Sequence, residues 1–295
     1  MTLNIAVSTR QGSVLATDHR FLWGNGRRRD DRRNKQIVIS CYDGDMLVGY
    51  CGIGAFRDDS GERTVDDWLT EVVTSPPRVR QTSPGSWSLE VITIADAIKR
   101  LRDEATSRLG KMFASFGAKG AHYFTLVGES KSSGRFVGVV CNRDPRAPLD
   151  TPPNNWFDAF VDRLPNDVSA ALFVPRVALT PSSVRQLNSV VHAGGAQTRD
   201  IESLLAKIIL SSATKGPNRS YISPTSTTTF TDSGSPTLGF SGRHHGLKGV
   251  DQADVEPRVI TWGVPNPLWA DIWSVQAPEA VRRRIQARSR SLPSA

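Results

Sequence analysis

Regular alternation of apolar residues at the start of the chain constrains its fold more than any other feature. Leu3, Ile5 and Val7 are separated by small or polar residues, and after Gln11-Gly12 a second apolar segment follows at Val14–Thr17. A period of two is typical of a β-strand with one buried face. The segment therefore predicts a β-hairpin.

A second hairpin follows, and helical spacing comes after it. Gln36–Cys41 and Met46–Cys51 are two apolar runs joined by Tyr42–Asp45, whose Asp and Gly residues are typical of a turn. Apolar residues then recur at helical spacing near 65–73 and over 93–113.

The rest of the chain alternates in the same way. Strands are predicted at 122–128 and 135–141, a Pro-rich loop at 144–155, helices at 181–191 and 198–212, and a strand pair or loop at 220–231. This order predicts an α+β fold in which helices pack outside two antiparallel sheets, a four-layer αββα sandwich.

Composition divides the chain into two predicted parts. Residues 1–231 hold the regular elements, while 232–295 form a Gly/Pro-rich extension that contains Trp262, Trp269 and Trp273 and ends in a basic tail. An extension with this many tryptophans is too aromatic to be wholly disordered.

Length and apolar content indicate a folded cytoplasmic protein. The chain has 295 residues, of which 38% are hydrophobic, enough to bury a large core. It has no long apolar run, and its start, MTLNIAVSTRQG, lacks the pattern of a secretory signal, so no membrane segment is expected. Cys41, Cys51 and Cys141 have no C-x-x-C spacing, which favours buried thiols over a disulfide or a metal site. We expect no cofactor and no metal.

The net charge of +8 is concentrated in two segments. Gly24–Lys35 has six basic and two acidic residues, and Arg282–Ala295 has five arginines and no acid. The remainder is nearly neutral, which argues against a broad phosphate-binding face, so a nucleic-acid partner is not expected. Solvated charge is the favoured interpretation, although the tail alone could contact anionic partners.

Thr2 is a candidate nucleophile because removal of Met1 would leave it as the first residue. An N-terminal threonine carries a hydroxyl and an amine, and the α-amino group titrates near about 7.7–8.0, so a fraction of it can accept the hydroxyl proton at neutral pH. Threonine is also common at the second position with no role. This residue alone therefore decides little.

Hairpin geometry places charged residues near Thr2. If the turn lies at Arg10–Gly12, either Asp18 or His19 lies opposite Thr2, and Lys35 begins the next strand at the same end of the sheet. A buried carboxylate needs a nearby cation to remain ionised at low cost. Thr2, Asp18 and Lys35 are therefore expected to converge, while His19 is expected to face away.

The same residues carry a resemblance to a known family. The segment Thr2–Phe21, TLNIAVSTRQGSVLATDHRF, resembles the opening of proteasome β-type subunits, and Lys35 with its strand and the segment Val48–Ala55, VGYCGIGA, extend the match. The match is good over about the first fifty-five residues and weaker, at the level of element order, to Thr231.

The resemblance implies an N-terminal-nucleophile hydrolase of the threonine type. It implies Thr2 as the nucleophile, Asp18 as the acid that orients and charges Lys35, and Lys35 as the cation that lowers the proton affinity of the hydroxyl. Gly52 would lie near the turn whose backbone N–H stabilises the oxyanion. It further implies a peptide or protein substrate and a homo-oligomeric ring or spiral.

Two departures from the family pattern keep an alternative open. The family's serine-containing turns have no counterpart at His192–Ala196 or Ala213–Ser220, so a catalytically inactive scaffold subunit is the second hypothesis. A basic binding protein that acts through its tail is the third. A metal site at His244-His245 with Asp251 and Asp254 is disfavoured, because adjacent histidines in Gly-rich loops are usually solvated.

Overall fold

Two large sheets form the centre of the molecule in a computed structural model of the chain. The structure describes residues 3–23, 28–30, 35–59, 61–74, 79–83, 86–89, 92–175, 179–192, 198–215, 219, 222–232, 240–246, 258–261 and 274–275.

The first sheet has five antiparallel strands. In spatial order they are β14 (Ala170–Val174), β1 (Asn4–Thr9), β2 (Gly12–Asp18), β15 (Ser226–Asp232) and β16 (Phe240–His245).

The second sheet has seven strands, antiparallel except where β17 runs parallel to β5. In spatial order they are β13 (Asp158–Arg163), β12 (Gly134–Cys141), β11 (Tyr123–Ser130), β6 (Gly44–Cys51), β5 (Gln36–Cys41), β17 (Arg258–Thr261) and β18 (Ser274–Val275). Three short ribbons complete the strands: β3 (Phe21–Leu22) with β4 (Arg28–Asp30), β7 (Ala55–Asp58) with β8 (Gly61–Thr64), and β9 (Val79–Ser83) with β10 (Ser86–Leu89).

Some of the helices begin at capping residues that the sequence provides. They are α1 (Val65–Thr74), α2 (Ile94–Ala105), a π-helical segment (Thr106–Gly110), α3 (Lys111–Ala114), a 3₁₀ turn (Gly117–Gly120), α4 (Pro181–His192) and α5 (Thr198–Lys215). Thr93 and Asp96 form a reciprocal capping box at the start of α2. The hydroxyl of Thr180 accepts a hydrogen bond from the backbone of Ser183 at 3.2 Å and caps α4.

Helices pack against both sheets. Trp68 of α1 and Leu101 of α2 belong to one core cluster with Ile39 and Phe124 of the second sheet. A separate cluster joins α4 and α5 to the first sheet, and a smaller one contains residues of both sheets, among them Leu15 and Val38. The architecture is therefore a mixed one, in which largely antiparallel sheets are covered by a few helices.

Most predicted elements are present, with corrections at particular places. The two hairpins and the four helical regions are confirmed, but the long helix of 93–113 contains the π-helical segment. Where a strand pair or loop is predicted at 220–231, the described residues 222–231 hold one strand. Strands β13 and β14 were not predicted. The second hairpin turns at Tyr42-Asp43, so its next strand begins at Gly44, earlier than predicted.

Parts of the predicted extension join the sheets. Strand β16 pairs with β15 in the first sheet, and β17 pairs with β5 in the second. The division of the chain at residue 232 stays a prediction. His244 lies on β16, while Asp251, Asp254 and the tryptophans of the extension lie outside the described residues, as does the basic tail.

Two further sequence-based expectations concern cysteines and the membrane. Cys41, Cys51 and Cys141 are free and buried, as predicted. Among the described residues, no helix is both long enough and apolar enough to span a membrane.

Candidate active site

The first hairpin sets the register that organises the site. Asn4 lies opposite Thr17 and Thr9 opposite Gly12, so the chain turns at Arg10-Gln11, within the predicted range. At the open end of the hairpin, the backbone N–H of Asp18 donates to the carbonyl oxygen of Leu3 at 3.2 Å. Asp18 is therefore the residue paired with the start of β1.

Asp18 is fully buried, and its carboxylate accepts hydrogen bonds from the backbone. Oδ1 accepts from the N–H groups of Arg20, at 2.7 Å, and Ser223, at 3.3 Å. Oδ2 accepts from the N–H of Leu3. Three backbone donors from three segments therefore fix the orientation of this carboxylate.

Lys35 supplies a cation at the same place. Its side chain is 1% exposed, and Nζ lies 3.5 Å from Oδ1 of Asp18. Lys35 immediately precedes β5, whose apolar residues hold its backbone within the second sheet. The predicted convergence of Asp18 and Lys35 is thus present, as a buried ion pair between the two sheets.

Thr2, the predicted nucleophile, lies outside the described residues. Its neighbour Leu3 is buried and bonded to Asp18 through both its N–H and its carbonyl oxygen. The first described residue of the chain is therefore tied directly to the ion pair.

Gly52 lies where β6 ends, in a conformation that favours glycine. Its φ is +117°, and a Cβ built on it would lie 2.4 Å from the carbonyl oxygen of Ala121 and 3.1 Å from Nδ1 of His122. The turn at Gly52 therefore lies directly against the segment that leads into β11, and a side chain would collide with backbone there.

His122 is a buried residue that the sequence did not single out. Its imidazole is stacked on Tyr50 with centroids 5.9 Å apart, and it contacts the rings of Phe113 at 5.1 Å and Phe124 at 4.6 Å. Neither ring nitrogen has a hydrogen-bond partner within the described part of the chain. Burial, together with the nearby positive charge of Lys35, lowers the pKa of His122 to about 3, so the ring is neutral near neutral pH.

Asn142 fixes the backbone of His122. The N–H of His122 donates to Oδ1 of Asn142 at 2.8 Å, and Nδ2 of Asn142 donates to the carbonyl oxygen of Gly120 at 3.0 Å. The backbone N–H of Asn142 in turn donates a hydrogen bond to the carbonyl oxygen of His122 at 3.3 Å.

His19 is buried and contacts two hydroxyl groups, one on β15 and one directly before it. Its Nδ1 lies 3.1 Å from Oγ1 of Thr225 and its Nε2 lies 2.6 Å from Oγ1 of Thr227. Thr225 is in turn 2.9 Å from the hydroxyl of Ser223, whose N–H binds Asp18. His19 therefore helps to position the segment that reaches the carboxylate.

Gln36, next to Lys35, joins the two sheets. Its Nε2 donates to the carbonyl oxygen of Thr227 at 2.9 Å and to that of Leu15 at 3.1 Å, both in the first sheet. Its Oε1 accepts a hydrogen bond from the hydroxyl of Thr229. These bonds hold the start of β5 against β2 and β15, and with it Lys35 against Asp18.

Sequence reasoning missed Ser223 and His122 for different reasons. Ser223 contributes a backbone N–H, which every residue except proline carries, so no residue type signals it. His122 lies in an apolar run before β11, where a lone histidine has the appearance of a core residue. Only its closeness to the Gly52 turn in the folded chain marks it as a candidate functional residue.

Comparisons with known proteins yield distant structural likenesses. No family model matches the chain, and no curated protein matches it. Among solved structures, the chain is similar to Anbu (ancestral beta-subunit) from Yersinia bercovieri, with a TM-score of 0.48 and 10% identity over 99% of this chain and 98% of that one. It is also similar to an Anbu (Gly-1) mutant from Hyphomicrobium sp. strain MC1, with a TM-score of 0.48 and 11% identity over 100% of this chain and 99% of that one. Likenesses at this distance carry no conclusion about activity.

Proposed function

We propose that the chain is a threonine-type N-terminal-nucleophile hydrolase that cleaves amide bonds in peptides or proteins. The proposal includes a four-layer αββα arrangement, with helices outside and two sheets within, which three of the core clusters support. Thr2, freed by removal of Met1, is the proposed nucleophile.

One observation carries this proposal: the buried pair of Asp18 and Lys35 is joined to the residue that follows Thr2. The N–H of Leu3 donates to Asp18, and Lys35 Nζ is 3.5 Å from the same carboxylate. Because Leu3 N is covalently bonded to the carbonyl carbon of Thr2, the nucleophile is attached within one peptide unit of the pair.

The proposed reaction proceeds through an ester of Thr2. The α-amino group accepts the hydroxyl proton, and the Thr2 oxygen attacks the amide carbon and forms a C–O bond. The amide C–N bond breaks as the leaving amine takes up that proton. Water then hydrolyses the ester and restores the hydroxyl. No metal or cofactor enters this scheme.

Each charged residue has a defined part in it. Lys35 lowers the proton affinity of the hydroxyl, and Asp18 keeps the lysine charged in its buried position. The backbone N–H at the Gly52 turn stabilises the oxyanion of the tetrahedral intermediate. By analogy with the family that the first residues resemble, the protein assembles as a homo-oligomeric ring or spiral.

A non-catalytic scaffold subunit is the alternative, and one observation favours it. The Asp18 carboxylate is occupied by three backbone donors, an arrangement that would also serve to lock the strand ends together. The two hypotheses differ in what happens at Thr2.

The test combines the intact mass of the purified protein with turnover of a fluorogenic peptide amide. We expect loss of Met1, measurable turnover, and loss of turnover in Thr2→Ala but not in Thr214→Ala, which removes an exposed threonine hydroxyl at the end of α5. Retention of Met1 on an active preparation would disprove the mechanism. Absence of turnover with Met1 removed would favour the scaffold.

A further inference from the structure

His122 lies behind the turn that the proposed mechanism uses, and this gives it a role beyond packing. The space of a Cβ on Gly52 is bounded by Ala121 O at 2.4 Å, His122 Cα at 3.0 Å and His122 Nδ1 at 3.1 Å. Movement of the Gly52 backbone towards the start of β11 is therefore blocked by Ala121 and His122.

The position of His122 is itself fixed from two sides. Its backbone is held by reciprocal hydrogen bonds with Asn142. Its ring is enclosed by Tyr50, Phe113, Phe124 and Phe157, the last at 6.4 Å between centroids. The support behind Gly52 is therefore rigid.

Packing alone does not explain an imidazole at this position. The ring is 0% exposed, and both nitrogens lack partners among the described residues, which costs free energy that a phenyl ring would not. A phenyl ring would suit an aromatic enclosure at least as well. The ring atom nearest to the Cβ position of Gly52 is Nδ1, at 3.1 Å, so a polar atom of the ring faces the turn.

The electrostatics agree with a neutral supporting group. Burial and the charge of Lys35 both disfavour protonation of His122. A neutral ring adds no second positive charge beside Lys35, so it leaves the pairing of Lys35 with Asp18 undisturbed.

We propose that His122 is a positioning residue, whose imidazole holds the Gly52 turn in the orientation that presents its N–H to the oxyanion. This inference rests on the proposed hydrolase function. His122 is fully buried, so it does not itself contact the substrate.

Three variants test it by the separate effects on kcat, KM and thermal stability. His122→Phe keeps the ring volume but removes both nitrogens, and we expect kcat to fall about tenfold with KM within about twofold and Tm unchanged or higher. His122→Asn places an amide near the position of Nδ1 and should recover part of kcat. Phe157→Leu, the matched control, loosens the same enclosure without removing a nitrogen, so it should lower Tm and leave kcat nearly intact.

The outcomes separate this inference from the function beneath it. If the wild type hydrolyses the peptide and His122→Phe has the same kcat, the positioning role alone is overturned. Equal losses of kcat in His122→Phe and Phe157→Leu would also overturn it. If the wild-type protein hydrolyses no peptide amide although its Thr2 is unmodified, the hydrolase proposal is overturned, and this inference with it.

Discussion

Gly52 and Ala121 approach so closely that a single methyl group on Gly52 would lie 2.4 Å from the carbonyl oxygen of Ala121. No carbon atom tolerates that distance, so the two strand ends β6 and β11 can meet only with glycine at this position. The φ of +117° at Gly52 adds a second requirement for glycine.

Gly52→Ala is therefore expected to displace the turn and to reduce both stability and turnover. The strained φ alone is expected to cost at least about 1 kcal/mol, and the steric overlap adds to it. Gly61→Ala is the matched control, because Gly61 has a similar φ of +114° and no atom of the described residues lies within 4 Å of the added carbon. Urea unfolding should show the larger loss for Gly52→Ala. Equal losses would show that the contact with Ala121 is unimportant.

The buried pair of Asp18 and Lys35 predicts strong energetic coupling. Asp18→Asn leaves a buried cation without its counter-charge and should cost about 3–5 kcal/mol, as should Lys35→Met for the opposite reason. The double variant should be less destabilised than the sum of the two, and urea unfolding of all four proteins measures that difference.

A more exposed ion pair provides the comparison. Glu71, with a side-chain exposure of 46%, is paired with Arg63 and Arg108, whose side chains are 19% and 35% exposed, so Glu71→Gln should cost only about 0–1 kcal/mol for each pair. Additive losses at Asp18 and Lys35, or losses no larger than that of Glu71→Gln, would contradict a structural dependence on the buried pair.

Much of this site could be predicted because it depends on strand register. Alternation at Leu3, Ile5 and Val7 fixed the hairpin, and the hairpin brought Asp18 to the start of β1. The position of Lys35 could be predicted as well, because β5 begins at the end of the sheet where Asp18 lies. Local pattern was sufficient for these elements.

Other features depend on tertiary context that local pattern does not carry. Strand β13 is exposed along its whole length, so Asp158–Arg163 lacks the buried face that marks a strand in sequence. The backbone N–H of Ser223 binds Asp18 although the two residues are far apart in the chain. The contact of His122 with the Gly52 turn likewise depends on the fold.

Stability should fall in acid because of His122. Its pKa is about 3 in the folded protein and 6.5 in its ordinary state, so between these values the unfolded chain binds a proton that the folded chain does not. Folding free energy is then lost as pH falls from about 6.5, by about 1.4 kcal/mol per pH unit for this group. Above pH 6.5 the effect vanishes.

The difference between wild type and His122→Phe isolates this contribution from other titrating groups. Plotted against pH, the free energies of unfolding of the two proteins should have the same slope above pH 7. Below pH 6 they should diverge, because the variant loses less stability than the wild type. His245→Gln serves as a control, since burial also lowers the pKa of His245, but that side chain is only partly buried. Parallel curves for wild type and His122→Phe would show that His122 titrates normally.

The arginine-rich loop is predicted to select acidic substrates. The chain leaves the ion pair after Asp18, forms the ribbon of β3 and β4, and returns to the ion pair at Lys35. The loop carries Arg27, Arg28, Arg29, Arg32 and Arg33. Exposed positive charge near a cleft raises the local concentration of anions, over a range of about 8–10 Å at physiological ionic strength.

Replacing those five arginines with serine should reduce kcat/KM for acidic peptides more than for neutral ones, while Lys35 is left intact. The basic tail offers a charge-matched control, because Arg282, Arg283, Arg284, Arg288 and Arg290 also number five. Serine at those positions changes the net charge by the same amount. If the loop acts locally, kcat/KM for acidic peptides will fall in the loop variant and not in the tail variant, whereas a general effect of charge would lower it in both.

The preference of the wild type for acidic peptides should also weaken as salt is added, because counter-ions screen the loop before they disturb a buried site. If acidic and neutral peptides respond alike to the loop variant, or if the tail variant behaves the same way, then the loop does not select the substrate.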